Sequence, residues 1–317
     1  MTVAICICTF NRPELLARVL GVLRNLHTGT LRPEQISIIV VDNNPDGRVA
    51  AVCNRLRGQL PVRLVLIAEK RRGISFARNR AVAEALRAGF DFLAFIDDDD
   101  KPEPDWLDKL VQKQRETRAD IVCGAIPAVV DPRWPAWLKN SPLFAPSGAK
   151  TETKFGIPQG IGSGNVLIDC RLLARLKTAG PVFSPAFALI GGSDTEFYIR
   201  AKRSGAKIVK AEKSIIHRHY GGPRITFRGL MVYALHKGNY SAHILRVHGT
   251  PQQIQGRVLK AAKKLTLGVM QLPACALSKT ALAARLFQIG IEAGFLYGFM
   301  GGNILKFSHH AGASRHT

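Results

Sequence analysis

Short apolar runs rich in β-branched residues alternate along this chain with segments whose apolar positions recur every three or four residues. VAICICTF (3–10), ISIIVVDNN (36–44), VRLVLIAE (62–69), DFLAFID (91–97) and ADIVCGAIPAVV (119–130) have the length and composition of buried strands. Between the first two, NRPELLARVLGVLRNL (11–26) sets Leu15, Leu16, Val19, Leu20 and Leu23 at helical spacing, with Asn11 as N-cap and Pro13 in the first turn. ISFARNRAVAEALRAG (74–89), closed by Gly89, and EPDWLDKLVQKQRET (103–117) predict two further helices. Strands separated by helices mean βαβ units and a mostly parallel sheet. Ligands of such sheets sit at the carboxyl ends of the strands.

The second half is less regular. Residues 131–162 are Pro-rich, and a loop that long in a compact domain is usually functional. Trp134, Trp137 and Phe144 in it offer aromatic faces for a bound ligand, so a segment that orders on binding is expected; a loop packed statically on the sheet is the other reading. SGNVLIDCRLLARLK (163–177) reads as strand then helix, GGSDTEFYIRAKRSG (191–205) as a glycine turn entering a helix, and AKIVKAEKSIIHRH (206–219) as a strand. Beyond 225 the pattern is helical and basic, which divides the chain into 1–225, with halves of about 1–130 and 131–225, and 226–317.

Charge sharpens that division. The net charge of +22 is concentrated at the C-terminal end: residues 1–200 hold 27 Lys and Arg against 21 acids, residues 201–317 hold 18 against Glu212 and Glu292 alone. Nucleic acid, anionic lipid and phosphorylated substrates all suit such a surface. The basic part lacks the interleaved aromatics of single-strand binders, so no nucleic-acid partner is expected. The six cysteines lie mostly in strand-like runs with no CxxC pair, which predicts reduced thiols and no zinc site. The opening MTVAICICTF has no basic leader or cleavage site, so no signal peptide is expected.

Candidate chemistry collects at predicted strand ends. In FIDDDDKPEPDWL (95–107) four carboxylates, Asp97 to Asp100, follow an apolar strand. Mutual repulsion is tolerable there if Mg²⁺ or Mn²⁺, which prefer oxygen ligands, neutralises them. A solvated acidic turn before the helix at Pro104 is the competing reading. Asp42 ends the second strand, where it accepts from a ribose or base, or else starts an Asx-turn. Arg78 and Asn79 sit on an early helical turn behind Gly73; Arg78 either braces a carboxylate or phosphate or is surface charge. Asp194 is a general base behind a glycine turn, or part of a Ser193–Glu196 capping box. His217 and His219 complete a metal site, contact phosphate, or decorate a basic strand.

Taken in order, ICICTFNRPELL, VVDNN, GISFARNRAV, FIDDDDKPEPDWL, GSGNVLI and GGSDTEFYIRAKRSG resemble the bacterial family 2 glycosyltransferases over about residues 2–248, nearest the branch that builds succinoglycan-type exopolysaccharides. The resemblance implies an α/β GT-A fold: a Rossmann-like, mostly parallel sheet with helices on both faces, here with a basic helical extension. It implies a nucleotide-diphosphate sugar donor, foremost a UDP-sugar, a divalent Mg²⁺ or Mn²⁺, and inversion at the anomeric carbon. By motif position Thr9 and Asp42 would lie in the nucleotide pocket. Asp97 and Asp99 would form the Asp-x-Asp pair with Asp99 nearest the metal, and Asp194 would be the base. Ser193 stands where that family often has a second acid. A sugar-phosphate nucleotidyltransferase would need a Gly-rich N-terminal loop, and CTFNRPELL has none; a non-catalytic basic scaffold is the remaining alternative.

Residues 257–307 pair basic clusters with long apolar runs. The run 265–277 is too short to span a bilayer, and 286–305 contains Gln288, Glu292, Asn303 and five glycines. Helices lying on an anionic membrane surface are therefore expected, on the cytoplasmic side where a glycan or polyprenyl-diphosphate-linked acceptor would be met. A helical hairpin packed on protein is the alternative.

Overall fold

The structure, a computed structural model, describes residues 1–127, 130–140, 155–158, 161–218 and 225–305. Its strands are β1 (Val3–Thr9), β2 (Ile36–Asp42), β3 (Arg63–Ala68), β4 (Phe92–Asp97), β5 (Asp100–Pro102), β6 (Ile121–Ala125), β7 (Asn165–Asp169) and β8 (Ile208–Arg218). The helices are α1 (Pro13–Leu23), α2 (Arg48–Leu56), α3 (Ile74–Arg87), α4 (Trp106–Thr117), α5 (Ala136–Lys139), α6 (Cys170–Thr178), α7 (Ser193–Arg203), α8 (Phe227–His248), α9 (Pro251–Met270), α10 (Leu272–Cys275) and α11 (Lys279–Phe299).

The strands form one mixed sheet in the order β3-β2-β1-β4-β7-β6-β8-β5. β3, β2, β1 and β4 run parallel, as the βαβ pattern requires. β7 is antiparallel to β4 and β6, β6 is parallel to β8, and β5 is antiparallel to β8. Val3, Ile5 and Ile7 of β1 and Ile38 and Val40 of β2 have no exposed surface, and they pack with Leu16, Leu20 and Leu23 of α1. Intervening Ala4 and Cys6 are equally buried, because helices cover both faces, so β1 shows no in–out alternation.

Three elements were not anticipated: α2, β5 and the four-residue α5 within the Pro-rich segment. α2 follows Gly47, whose φ of 91° lies in the left-handed region, and its apolar positions Val49, Val52, Cys53 and Leu56 are interrupted by Ala, Asn and Arg. β5 is three residues long and exists only through its pairing with β8.

By compactness the described residues fall into two units: those within Met1–Pro127, Ser147–Ala188 and Ser193–His219 form one, and those within Ala128–Pro146, Leu189–Gly192 and Tyr220–Thr317 the other. The second is built on α8 and α11. A Cβ on Gly238 would strike the Ile291 carbonyl oxygen, and one on Gly294 would strike that of Leu235. A Cβ on Gly290 would lie 3.0 Å from that of Ala234, and one on Gly298 2.8 Å from the Asn239 carbonyl oxygen. Gly290, Gly294 and Gly298 recur every four residues, so one bare stripe of α11 meets α8 backbone to backbone. Asn239, fully buried, then holds the chain leaving α11: it donates to Gly302 O at 2.8 Å and accepts from Ile304 N at 3.1 Å. In the 131–162 segment, Trp137 packs edge-on against Phe227 at 5.9 Å and joins the cluster of Leu230, Ala234 and Phe287. Phe144 lies outside the described residues. No described helix is long and apolar enough to cross a membrane.

Candidate active site

The four consecutive aspartates are set by the end of β4 and the start of β5. Two arginines are shared among them, with Thr9 and Arg78 as further neighbours. Asp98 is 5% exposed; it accepts from Thr9 Oγ1 at 2.9 Å, at the end of β1, and from Arg12 Nη1 at 3.0 Å. Asp99 lies 3.8 Å from the same guanidinium. Asp100 sits directly across the β5–β8 pair from Arg218, whose Nε donates to Asp100 Oδ1 at 2.9 Å while Nη2 donates to Asp97 Oδ2 at 2.8 Å. The Asp97 backbone N–H donates to Asp100 Oδ2 at 3.1 Å. Arg78 Nη2 stands 4.0 Å from Asp97 Oδ1. Four carboxylates are thus faced by three guanidiniums.

Burial still tells on them. Burial first, and Asp99 as a second negative charge, push Asp98 up to about 6 against the pull of Arg12. Asp100 is raised by burial and then by Asp97, with Arg218 opposing. Burial opposes the charge of Arg218, but Asp97 and Asp100 outweigh it and raise its pKa.

Room for this cluster comes from Gly164, just before β7. A Cβ there would lie 2.7 Å from both Asp97 Oδ2 and Asp100 Oδ2 and would strike Arg218 Nη2. The next residue, Asn165, donates to Ala125 O and to Ser214 O, both at 3.0 Å, tying β6 and β8 to β7.

Arg78 connects the cluster to α7. Its Nη1 donates to Ser193 Oγ at 2.9 Å, its Nη2 to Ser163 Oγ, and its guanidinium lies 5.5 Å from the centre of the Phe183 ring. Ser193 opens α7, and half-buried Asp194 follows it there, accepting from the Thr195 N–H at 2.7 Å. Glu196 pairs with Arg200 at 2.7 Å, so the Ser193 hydroxyl and the Glu196 carboxylate both serve contacts other than a reciprocal cap. Asn79 faces away from the cluster, exchanging hydrogen bonds with the Phe183 backbone at 2.7 and 2.9 Å.

Asp42 ends β2 one strand further out. It accepts from the Asn44 N–H at 3.0 Å, the Asx-turn geometry, and burial raises its pKa with that bond opposing. Beside it Asn43 knits the strand ends: it donates to Glu69 O at 2.8 Å and Arg71 O at 2.7 Å and accepts from Gly73 N at 2.8 Å. Gly73 has φ 136° and its missing Cβ would lie 2.8 Å from that of Ala188, so the turn into α3 admits only glycine. A groove of about 630 Å³ lined by Ile36, Arg63 and Arg87 lies at the opposite, amino-terminal ends of β2 and β3 and contains none of the candidate residues.

The structure therefore brings Thr9, Arg78, Asp97 and Asp99 together and joins Ser193, the neighbour of Asp194, to them. Asp42 lies beside Thr9 in the β1–β2 register, one strand out from the aspartates. His217 lies across from Lys101 and 3.3 Å from Glu103 Oε1; His219 is outside the described residues. Arg218, Asn43, Ser163 and Gly164 were not singled out from sequence. Arg218 stood in plain view within HRH, but alternate strand positions face opposite ways.

Asp97, Asp99 and Asp100 each offer an oxygen, all within 4.8 Å of one another. Three hard oxygen donors suit Mg²⁺ or Mn²⁺, so the donor chemistry fits a divalent ion.

Comparison with known proteins bears on the fold and the family. A protein 27% identical over 302 residues, 92% of this chain and 91% of its own length, is the succinoglycan biosynthesis protein ExoM of Rhizobium meliloti (strain 1021). The mannosyltransferase PcManGT from Pyrobaculum calidifontis, solved in complex with GDP-Man and Mn²⁺, superposes with a TM-score of 0.59 at 16% identity, over 93% of this chain and 87% of that one. S. aureus TarS 1-349 gives 0.51 at 15% identity, over 91% and 90%. These likenesses bear out the GT-A fold. The model of the glycosyl transferase family 2 domain matches residues 4–174, and with more than half its length so matched the chain belongs to that family.

Proposed function

We propose that the protein transfers a sugar from a nucleoside-diphosphate sugar to a hydroxyl of a glycan or lipid-linked acceptor during cell-surface polysaccharide synthesis, with inversion at the anomeric carbon. The observation that carries this reading is the convergence of Asp97, Asp99 and Arg78 at the carboxyl edge of the sheet, with Arg78 bonded to the residue before Asp194. The Rhizobium relative supports the polysaccharide context, and the GDP-Man and Mn²⁺ of the Pyrobaculum enzyme support a nucleotide sugar and a divalent ion.

Thr9 and Asp42, at the ends of β1 and β2, border the nucleoside. Asp97 and Asp99 would hold Mg²⁺ or Mn²⁺, which when bound offsets the charge on the diphosphate. Asp194 accepts the proton of the acceptor hydroxyl; that oxygen bonds to the anomeric carbon as the bond to the diphosphate oxygen breaks. Arg78 and Arg218 supply fixed positive charge beside the departing diphosphate. The nucleoside diphosphate leaves with the electron pair, and one displacement inverts the centre. Work at the inner face of the cytoplasmic membrane, against anionic lipid, would bring the enzyme to a lipid-linked acceptor.

Nucleotide release from a panel of donors, UDP-sugars first, with Mn²⁺ or EDTA, tests the reading. Asp99→Ala should abolish Mn²⁺-dependent turnover and donor binding. Unchanged activity of that variant in EDTA removes the metal from the scheme, and a product that retains the donor's anomeric configuration removes the single displacement.

A further inference from the structure

We infer that the outward face of α9, with the turn between α10 and α11, is an interfacial anchor for an anionic lipid surface. The inference deepens the proposed work on a lipid-linked acceptor by naming the surface that meets the bilayer.

Two faces of α9 differ sharply. Ala261 and Gly268 are buried, and Ile254 and Val258 pack with Ala242, Leu245 and Phe295 of α8 and α11. On the other side Leu259 is 64% exposed, Leu267 44% and Met270 70%. Positions 259, 263, 267 and 270 are spaced four, four and three apart, so these three apolar side chains share one stripe with Lys263. Leu277, between α10 and α11, is 101% exposed. Large apolar side chains set in water cost free energy unless something covers them.

The charge on the same helices selects the cover. α8 to α11 hold one carboxylate, Glu292, and it is buried, 2.7 Å from Arg257 and 3.8 Å from Lys264. The exposed charge beside the apolar stripe, Lys260, Lys263 and Lys279, is therefore entirely positive. An apolar strip flanked by lysines with no acid matches an anionic bilayer interface: the leucines and methionine enter the acyl boundary while lysine stems reach back to headgroup phosphates. A second copy of this chain would bring the same lysines to face its own, which opposes self-association through this face. No described helix is long and apolar enough to cross the membrane, so α9 would lie in the interface plane.

Flotation of the full chain with vesicles tests this. Binding to mixed phosphatidylcholine–phosphatidylglycerol vesicles at low salt, absent from pure phosphatidylcholine and falling at high salt, is expected. Replacing Lys260, Lys263 and Lys279 by Gln should weaken binding about fivefold per charge. Leu267→Asp with Met270→Asp should abolish it while the melting temperature and nucleotide release with a soluble acceptor stay unchanged; both positions are exposed, so the fold tolerates them. A wild-type protein that stays unbound to anionic vesicles at low salt, or a double variant that still floats, overturns the inference. So does a wild-type dimer in solution that the double variant dissociates, since a second copy would then own the face. Nucleotide release in the same samples separates these failures from failure of the transferase reading, which would show as loss of turnover without lipid.

Discussion

At the residue scale, the site works by pairing each carboxylate with a neighbour that suits it. Asp98 is committed to Thr9 and Arg12, so it belongs to the scaffold, while Asp97 and Asp99 stay at the edge of the cluster. Asp194 is differently placed: half-buried, at the opening of a helix whose N-terminal amides favour a carboxylate. Asp194→Asn keeps size and shape but cannot take a proton. It should lose transfer by about 10²–10⁴-fold, the usual contribution of a positioned base, with donor affinity kept. Calorimetry of donor binding beside single-turnover transfer reads both; loss of donor binding, or unfolding, would return Asp194 to a helix-end role. The aspartates were legible in sequence because four carboxylates after an apolar strand have few bland explanations. Arg218 was not, since its role depends on a cross-strand register that joins residues 118 apart.

At the element scale, periodicity predicted β1 to β4, α1, α3 and α4 to within a few residues, because buried parallel strands and amphipathic helices carry their pattern locally. β5 carries no local pattern, and α2 follows a glycine that reads as loop. The glycines of α11 were also ambiguous, since a membrane-facing helix and a tightly packed one both tolerate them. The structure gives them a packing role that is easy to test. Gly294→Ala would drive a methyl group into the Leu235 carbonyl and should destabilise by about 1–3 kcal/mol, the cost of overpacking. Gly256→Ala in α9, where nothing lies within 4 Å, should instead stabilise by roughly 0.5–1 kcal/mol. Urea unfolding of both variants reads the signs; the same sign for both would mean the helix pair is looser than drawn.

For the whole molecule, two carboxylates at the ends of neighbouring strands tilt stability in opposite directions with pH. Burial raises the pKa of Asp42. Below the unfolded value, about 4, its contribution is fully present; as pH rises the unfolded chain ionises first, and stability falls through the raised folded value. Glu69 is held low, first by its side-chain bonds to Arg71, so its contribution is present above the unfolded value and is lost as pH falls. Asp42→Asn should therefore flatten the loss of stability that accompanies a rise from about pH 4 to neutrality, measured by denaturant midpoints in EDTA. Parallel midpoint-versus-pH curves for the two proteins would show Asp42 free of burial strain.

The pairing of β5 with β8 also sets an order of events in synthesis. Asp100 leaves the ribosome long before Arg218, its partner 118 residues on. Until then the emerging chain carries four adjoining carboxylates with Arg12 and Arg78 but without Arg218 or the strand that makes β5 exist. The matched family segment ends at 174, ahead of α7 and β8, so a nascent chain of that length holds five of the six motifs but neither Asp194 nor the strand that pairs with β5. Closure over so long a separation is slow relative to local helix formation. The sheet's far edge, and the competence of the site with it, is thus among the last things the polypeptide acquires.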